Sequence, residues 1–471
     1  MSEFNRTIRN EIFDTTLRDA AQSLGVNNEF PAGSKAEMAH EIALLGTDTI
    51  EAGFPATKSD PKEIQDSEEI NEVARTVGQN IYEITPTEYI DEQWVERPKK
   101  VWTPVITGLA RANKAEIENA YQAVEPANRP GIHVFVASDE WHMRSKHPNM
   151  TKSEVIQMAV DSVRHAREVA GPDARIQFSL EAASTTDDPT LERFVKTMLD
   201  EKIDVLNLPD TLGNASPIHM HKMYNKAAKW AIAASRNDII LSTHNHNDGE
   251  RAVANSIAAL HGVIDAAVEM NANPPTMQTE TVVLHNGGSR NGNANIGPYV
   301  RNVFTDRNEF AIPVELNVDP TRYVKVANYM ARMAKLSLDP KAAVYGSKTI
   351  EEAAGVHSHG MEAGGAAIYI SVDPTGFGHE YTAVHIDGKY QGRTGKANLG
   401  GMQEYRAERI MRSTEVSEVI QSFSATVNED ELERITVRIN SHAKEHQRPV
   451  TENEIRSFVV EEISQRVKAL K

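Results

Sequence analysis

Apolar and polar positions along roughly the first three hundred residues repeat in a two-part rhythm. Short runs rich in β-branched and apolar residues fall at 11–16, 47–52, 100–106, 131–137, 175–180, 204–208, 238–242 and 279–284. Each is the length of a buried strand, in which side chains two apart share a face. Between them lie stretches with apolar residues at helical spacing, among them 35–45, 151–170, 189–201 and 251–267. Strand and helix alternating in this way predict an α/β protein built as a (β/α)8 TIM barrel. A doubly wound open sheet is the competing arrangement, but no Gly-x-Gly-x-x-Gly follows the first strand.

Beyond about Arg301 the rhythm breaks. Residues 314–338 read as loop and then helix, with helical apolar spacing over 323–336. A segment rich in glycine and histidine follows at 355–365, leading into the stretch 367–374 and a loop at 387–395. The pattern turns helical again at 415–423, at 429–446 and after Thr451, where Thr451-x-x-Glu454 predicts a capping box. The expected domains are a barrel over 1–310, a small mixed subdomain over 311–400 and a helical region over 401–471.

Barrel enzymes carry their chemistry at the carboxyl ends of the strands. Those ends hold Arg18 and Asp19, Glu51, His133, Ser179 and Glu181, then Asn207, Asp210 and Thr211, then His244 and His246, and finally Arg290 and Asn293. Few scaffolding roles need so many ionisable groups along one rim. His244 and His246 stand out, because residues two apart on an extended strand project their rings side by side. Two imidazoles need an oxygen donor to complete a metal site. Taken alone, a His-x-His pair is as readily two histidines bonded to loop groups.

Composition narrows the field. The chain has 471 residues, 40% of them hydrophobic and 25% charged, as in an ordinary globular protein. Its 50 basic and 67 acidic side chains give a net charge of −17, which argues against nucleic acid or an anionic membrane as partner. There is no cysteine, so disulfides, thiolate metal sites and cysteine nucleophiles are excluded. The polar start and the lack of a long apolar run predict a cytoplasmic enzyme.

The stretch Phe13-Asp-Thr-Thr-Leu-Arg-Asp19, taken with His244-Asn-His-Asn-Asp248, resembles the two hallmark motifs of the DRE-TIM metallolyase superfamily. The likeness is to its Claisen-condensing branch, which holds the 2-isopropylmalate, homocitrate and citramalate synthases. Glu51-Ala-Gly-Phe-Pro55 and Gly108-Leu-Ala-Arg111 look most like the isopropylmalate synthases. The resemblance implies that Asp19, His244, His246 and Asn293 ligate a divalent metal, Zn2+, Mn2+ or Mg2+. It implies Arg18 as the group stabilising the enolate and alkoxide oxygens, and Glu181 as the base acting on acetyl-CoA. His357 and Tyr369 correspond to catalytic residues supplied by the small domain of a neighbouring protomer, hence a homodimer with shared sites. His133, Ser179, Asn207 and Thr211 correspond to the 2-oxo acid pocket, with Thr211 on the carboxylate. The implied reaction condenses acetyl-CoA with a 2-oxo acid, 3-methyl-2-oxobutanoate first among them.

Three departures bear on substrate. The family's Arg-Asp-Gly-Glu-Gln reads Arg18-Asp-Ala-Ala-Gln22 here, its Gly-Glu-Arg reads Gly288-Ser-Arg290, and Asp248-Gly-Glu-Arg251 follows the histidines. The tail from about Ser413 resembles the short helical ending of homocitrate and citrate synthase-type members, so leucine feedback is not expected. Homocitrate synthesis would need an extra polar contact for a distal carboxylate, with His133 and Arg111 as candidates. Citramalate synthesis, a lyase or aldolase reaction on the same scaffold, and a non-catalytic binding homologue, suggested by the altered loops at Ala20-Ala21 and Ser289, are the other readings. For Arg18 alone, an ion pair with Asp19 or Glu51 is the plain structural alternative.

Overall fold

The computed structural model describes residues 6–24, 30–55, 61–284 and 286–346, then 349, 357, 368–379, 384–386, 389–391, 434, 435, 437–439, 441, 442, 445, 446, 454, 457–462 and 465. The chain divides into two compact units, residues 1–346 with 376–378, and residues 347–375 with 379–471.

The first unit is a closed barrel. Its strands are β1 (Ile8–Asp14), β2 (Thr49–Gly53), β3 (Val105–Arg111), β4 (Pro130–Ala137), β5 (Arg175–Glu181), β6 (Val205–Asn207), β7 (Ile240–Thr243) and β8 (Thr276–Thr281). They pair in chain order, all parallel, and β8 returns to pair with β1. A main helix follows each strand: α1 (Lys35–Ala43), α2 (Pro61–Thr76), α3 (Lys114–Val124), α4 (Lys152–Ala170), α5 (Asp188–Leu199), α6 (Pro217–Ala233), α7 (Ala252–Glu269) and α8 (Ile296–Thr305), with a short extra helix, Glu140–Lys146, between β4 and α4. This is the (β/α)8 barrel that the hydrophobic rhythm predicts.

Strand β5 shows how the sequence sorts the two layers. Ile176, Phe178 and Leu180 are fully buried, the apolar alternate positions that pack under the surrounding helices. Gln177 and Ser179, on the other face, hydrogen-bond across the barrel interior to Glu280 and His133. A parallel barrel buries both faces, so these polar residues need partners inside. Helix boundaries follow local chemistry. Thr151 and Glu154 form a reciprocal capping box at the start of α4, and Gly171, at φ 76°, ends it. Asp187 caps α5, with Pro189 in its first turn.

Two strands differ from the periodicity reading. The run at 100–106 is split: Lys100–Trp102 pairs antiparallel with Tyr82–Ile84 outside the barrel, and β3 begins at Val105. Pro104 separates the two, since it offers no ladder donor. The eighth strand lies at Thr276–Thr281 rather than 279–284, because Val282 leaves the ladder to bond Ala294 O at 2.9 Å. After α8, Val314–Glu315 pairs beside the start of β1, and Tyr323–Met333 forms the helix expected within 323–336.

In the second unit, His357 stacks on Tyr369 with ring centroids 4.2 Å apart. Val384–Ile386 pairs antiparallel with Lys389–Gln391. Arg434 and Arg438 pair with Glu462 and Glu461, and Ile435, Ile439 and Val459 are buried. The predicted helix 415–423, Thr451 of the capping box, and the 355–365 segment apart from His357 lie outside the described residues. Among the described residues, no helix is long and apolar enough to cross a membrane.

Candidate metal centre

Three segments at the carboxyl mouth of the barrel build one cluster. Asp19 sits on a wide helical turn, Thr16–Ala20, that follows β1 directly. His244 and His246 follow β7 on backbone still held extended: Asp210 N donates to His244 O at 2.9 Å, and His246 N donates to Asp210 O at 3.2 Å. That extension explains why both rings point the same way, as their spacing predicts. Asp19, His244 and His246 each offer a ligand atom within 4.8 Å of the others, and all three are buried. Asn293, bridged to His246 through the backbone, donates its Nδ2 to Asp19 Oδ2.

The donor set fits a divalent cation. The Nε2 atoms of His244 and His246 lie 3.4 Å apart. Two imidazole nitrogens at that distance need a proton or cation between them, since facing lone pairs repel. His246 Nδ1 and Asn293 Oδ1 are buried polar atoms with no hydrogen-bond partner among the described residues. Gly288 closes the cradle at φ 119°, where a Cβ would come 2.9 Å from Asp19 Oδ2 and 2.8 Å from Asn293 Nδ2. One carboxylate, two imidazoles and an amide suit Zn2+, Mn2+ or Mg2+ without choosing among them.

Electrostatics keep Asp19 and His246 in ligand form. Burial alone would raise Asp19, but Arg18, followed by His244 and His246, brings its pKa down to about 2. Burial and the neighbouring His244 push His246 down to about 3, leaving it neutral. His244 is raised: burial opposes protonation, but the hydrogen bond to and charge of Glu280, joined by Asp19, outweigh it.

Arg18 ties this cluster to a second one. Its Nε donates to Glu51 Oε2 at 2.6 Å and its Nη1 to Asp19 Oδ1 at 3.0 Å. Both ion pairs weighed for Arg18 from the sequence are therefore present. From Glu51 the chain of contacts runs to His133 Nδ1 at 2.7 Å, from His133 Nε2 to Ser179 Oγ at 2.6 Å, and from Asn207 Nδ2 to Ser179 Oγ at 2.8 Å. Burial favours the neutral acid at Glu51, yet Arg18 and His133 hold it ionised, well below the usual carboxylate range.

Other predicted positions are held by contacts of their own. Glu181 ends β5 and pairs with Lys146, whose Nζ lies 2.5 and 2.6 Å from its two oxygens. Thr211 accepts from Ala182 N at 2.9 Å, next to Glu181. Arg290 forks onto Asp248 at 2.7 and 2.9 Å and also donates to Thr211 O. Asp210 accepts from Ser184 Oγ and Ala215 N, a loop-holding role. His357 and Tyr369 belong to the second unit.

Periodicity missed three residues here. Glu280, fully buried on β8, accepts from His244 Nδ1 at 2.8 Å. Gln177 Nε2 holds Glu280 Oε1 at 2.7 Å. A carboxylate inside a strand was the available signal, but a strand expected to end at 284 puts Glu280 near its amino end rather than beside the carboxyl mouth. Lys146 gave no signal, being one basic residue of a helical turn.

The family profile described as HMGL-like matches residues 9–330. The chain is 32% identical over 351 residues to 2-isopropylmalate synthase of Pelotomaculum thermopropionicum, covering 74% of this chain and 59% of that protein. It is 31% identical over 353 residues to 2-isopropylmalate synthase 1 of Caldanaerobacter subterraneus, covering 74% and 75%. The chain thus spans about three fifths of the length of the first of these relatives. Among solved structures, an HMG-CoA lyase from Acenitobacter baumannii, in complex with coenzyme A and 3-methylmalate, shares the fold at a TM-score of 0.50 and 16% identity, over 73% of this chain and 97% of that one. On these matches and on its barrel, the chain belongs to the HMGL-like family, the DRE-TIM metallolyase superfamily, in its Claisen-condensing branch.

Proposed function

We propose that the protein catalyses a metal-dependent Claisen condensation in the cytoplasm: acetyl-CoA, a 2-oxo acid and water give a 2-alkylmalate and free CoA. With 3-methyl-2-oxobutanoate the product is 2-isopropylmalate, which opens leucine synthesis. The observation that carries this reading is the convergence of Asp19 with His244 and His246 at the mouth of the barrel. The names of the relatives favour the same substrate.

A divalent cation held by Asp19, His244, His246 and Asn293 supplies Lewis-acid polarisation of the ketone. His133, Ser179, Asn207 and Thr211 orient the 2-oxo acid. Arg18, kept charged beside Glu51 and Asp19, stabilises the developing oxyanion charge. Glu181, ion-paired with Lys146, takes the methyl proton of acetyl-CoA. His357 and Tyr369 complete the catalytic set from a neighbouring protomer, making the working unit a homodimer.

The test is release of free thiol from acetyl-CoA across a panel of 2-oxo acids, with and without added metal. Metal-dependent release greatest with 3-methyl-2-oxobutanoate supports the proposal. Preference for 2-oxoglutarate or pyruvate would move it to homocitrate or citramalate synthesis, and absence of release with every acid would refute a synthase. His244→Ala is expected to abolish both metal binding and turnover while the circular dichroism spectrum stays that of the wild type.

A further inference from the structure

The two histidines of the metal centre are not held alike. His244 donates its Nδ1–H to Glu280 Oε2 at 2.8 Å, whereas His246 Nδ1 is buried with no partner among the described residues. Glu280 is itself fixed from below. Its other oxygen accepts from Gln177 Nε2 at 2.7 Å and from Ser242 Oγ at 3.2 Å. Gln278 Nε2 braces both donors, reaching Gln177 Oε1 and Ser242 Oγ at 2.9 Å each. Side chains from three strands, β5, β7 and β8, therefore converge in one layer of the barrel interior, and all of them are buried. Such a layer is costly unless each group is satisfied.

We propose that Glu280 is a positioning residue that locks His244 as the Nδ1–H tautomer, its Nε2 lone pair turned to the cation, and that Gln177 holds Glu280 in that role. The physical reason is direct. A neutral imidazole carries one proton, and an anionic acceptor on Nδ1 decides which nitrogen keeps it. The same negative charge makes Nε2 a better donor to a cation. His244 is then the preset anchor of the site and His246 the ligand that adjusts, since no hydrogen bond among the described residues holds its Nδ1. This inference rests on the reading of Asp19, His244 and His246 as a metal centre.

Glu280→Gln keeps the shape but offers an amide that can either accept from Nδ1 or donate to it, so the tautomer is no longer chosen. The purified apoprotein is titrated with Zn2+ against a chromophoric chelator, with His244→Ala as the control for loss of the site. Glu280→Gln is expected to weaken Zn2+ binding about 10- to 100-fold. Selective 15N-histidine NMR of the apoprotein should show a residue with protonated Nδ1 in the wild type, assigned by its loss in His244→Ala, and a mixed signal in the variant. A role confined to folding would lower the melting temperature without changing either readout.

Gln177→Ala leaves the carboxylate but removes its brace, and should give a smaller loss of affinity in the same direction. It also decides the question if Glu280→Gln does not fold. Wild-type affinity within twofold in the folded variants overturns the assignment of Glu280 while leaving the metal centre standing. Wild-type protein that binds no Zn2+ overturns the metal centre and this inference together.

Discussion

Asp19 and Glu181 are both carboxylates at strand ends, yet their surroundings give them different work. Asp19 is buried between Arg18 and two imidazoles and pulled down to about 2, which suits a permanent anionic ligand. Glu181 is partly open and pairs with a lysine, Lys146. A base must shed its counter-ion and meet a substrate proton, and a lysine on a short helix allows that better than a buried guanidinium. Glu181→Gln should therefore lower kcat about 100-fold or more, with Zn2+ affinity and KM for the 2-oxo acid within a few-fold of wild type. Steady-state kinetics alongside the chelator titration check this, and full turnover would remove Glu181 from the mechanism. Gly288→Ala probes the opposite case, a residue with no chemistry of its own. Its Cβ would crowd Asp19 and Asn293, at a φ of 119° that disfavours any side chain. Zn2+ affinity should fall at least tenfold, and an unchanged value would show that the rim loop can yield.

At the scale of elements, alternation within the strands carried most of what was legible. Strand β5 shows it plainly, because its apolar positions pack outward and its polar ones meet inside the barrel, so Ser179 and His133 could be placed on the same surface from the sequence. The His244–His246 pair was legible for the same reason. Register was harder. Pro104 interrupts a continuous apolar run, and β8 ends three residues before its pattern suggests, so Glu280 was not placed near the carboxyl mouth. Contacts between distant strands, such as Gln177 with Glu280, are set by barrel closure, which periodicity does not encode. Helix packing adds a local constraint. Gly262 on α7 lies so close to α6 that a Cβ would sit 2.3 Å from His221 O and 3.0 Å from Asn225 N. Alanine gains about 1 kcal/mol in helix propensity, but displacing backbone in a packed interface costs about 1–3 kcal/mol. Gly262→Ala should then be neutral to destabilising in urea, by up to about 2 kcal/mol, with Zn2+ affinity unchanged. A clear stabilisation would mean that the two helices part easily.

For the whole molecule, the cost of building an acidic site inside a closed barrel should appear as a pH dependence of folding. Asp14 ends β1, where it pairs with Thr281 of β8 and Ile50 of β2, at the seam that closes the barrel. Its side chain is fully buried and accepts from Thr16 N at 2.9 Å and Thr16 Oγ1 at 3.0 Å. Burial, aided by the charge of Glu51, outweighs those hydrogen bonds and raises its pKa from 3.8 to about 7. Between these two values the folded chain holds a proton that the unfolded chain has released. Stability contributed by this group is therefore full below about pH 4 and declines as pH rises to about 7. The change is on the order of a few kcal/mol, because each tenfold difference in proton affinity between the two states is worth about 1.4 kcal/mol. Asp19 and Glu51, both lowered, act in the other direction: their contribution is full above their ordinary values of 3.8 and 4.5 and is lost as pH falls below them. Asp14→Asn removes the titration and retains one acceptor for Thr16, so the difference in unfolding free energy between variant and wild type isolates this residue. That difference should move in favour of the variant from pH 5 to pH 8, measured by denaturant titration of the apoprotein. A flat difference across that range would mean that Asp14 is ionised throughout, and that the Thr16 hydrogen bonds rather than burial govern the seam.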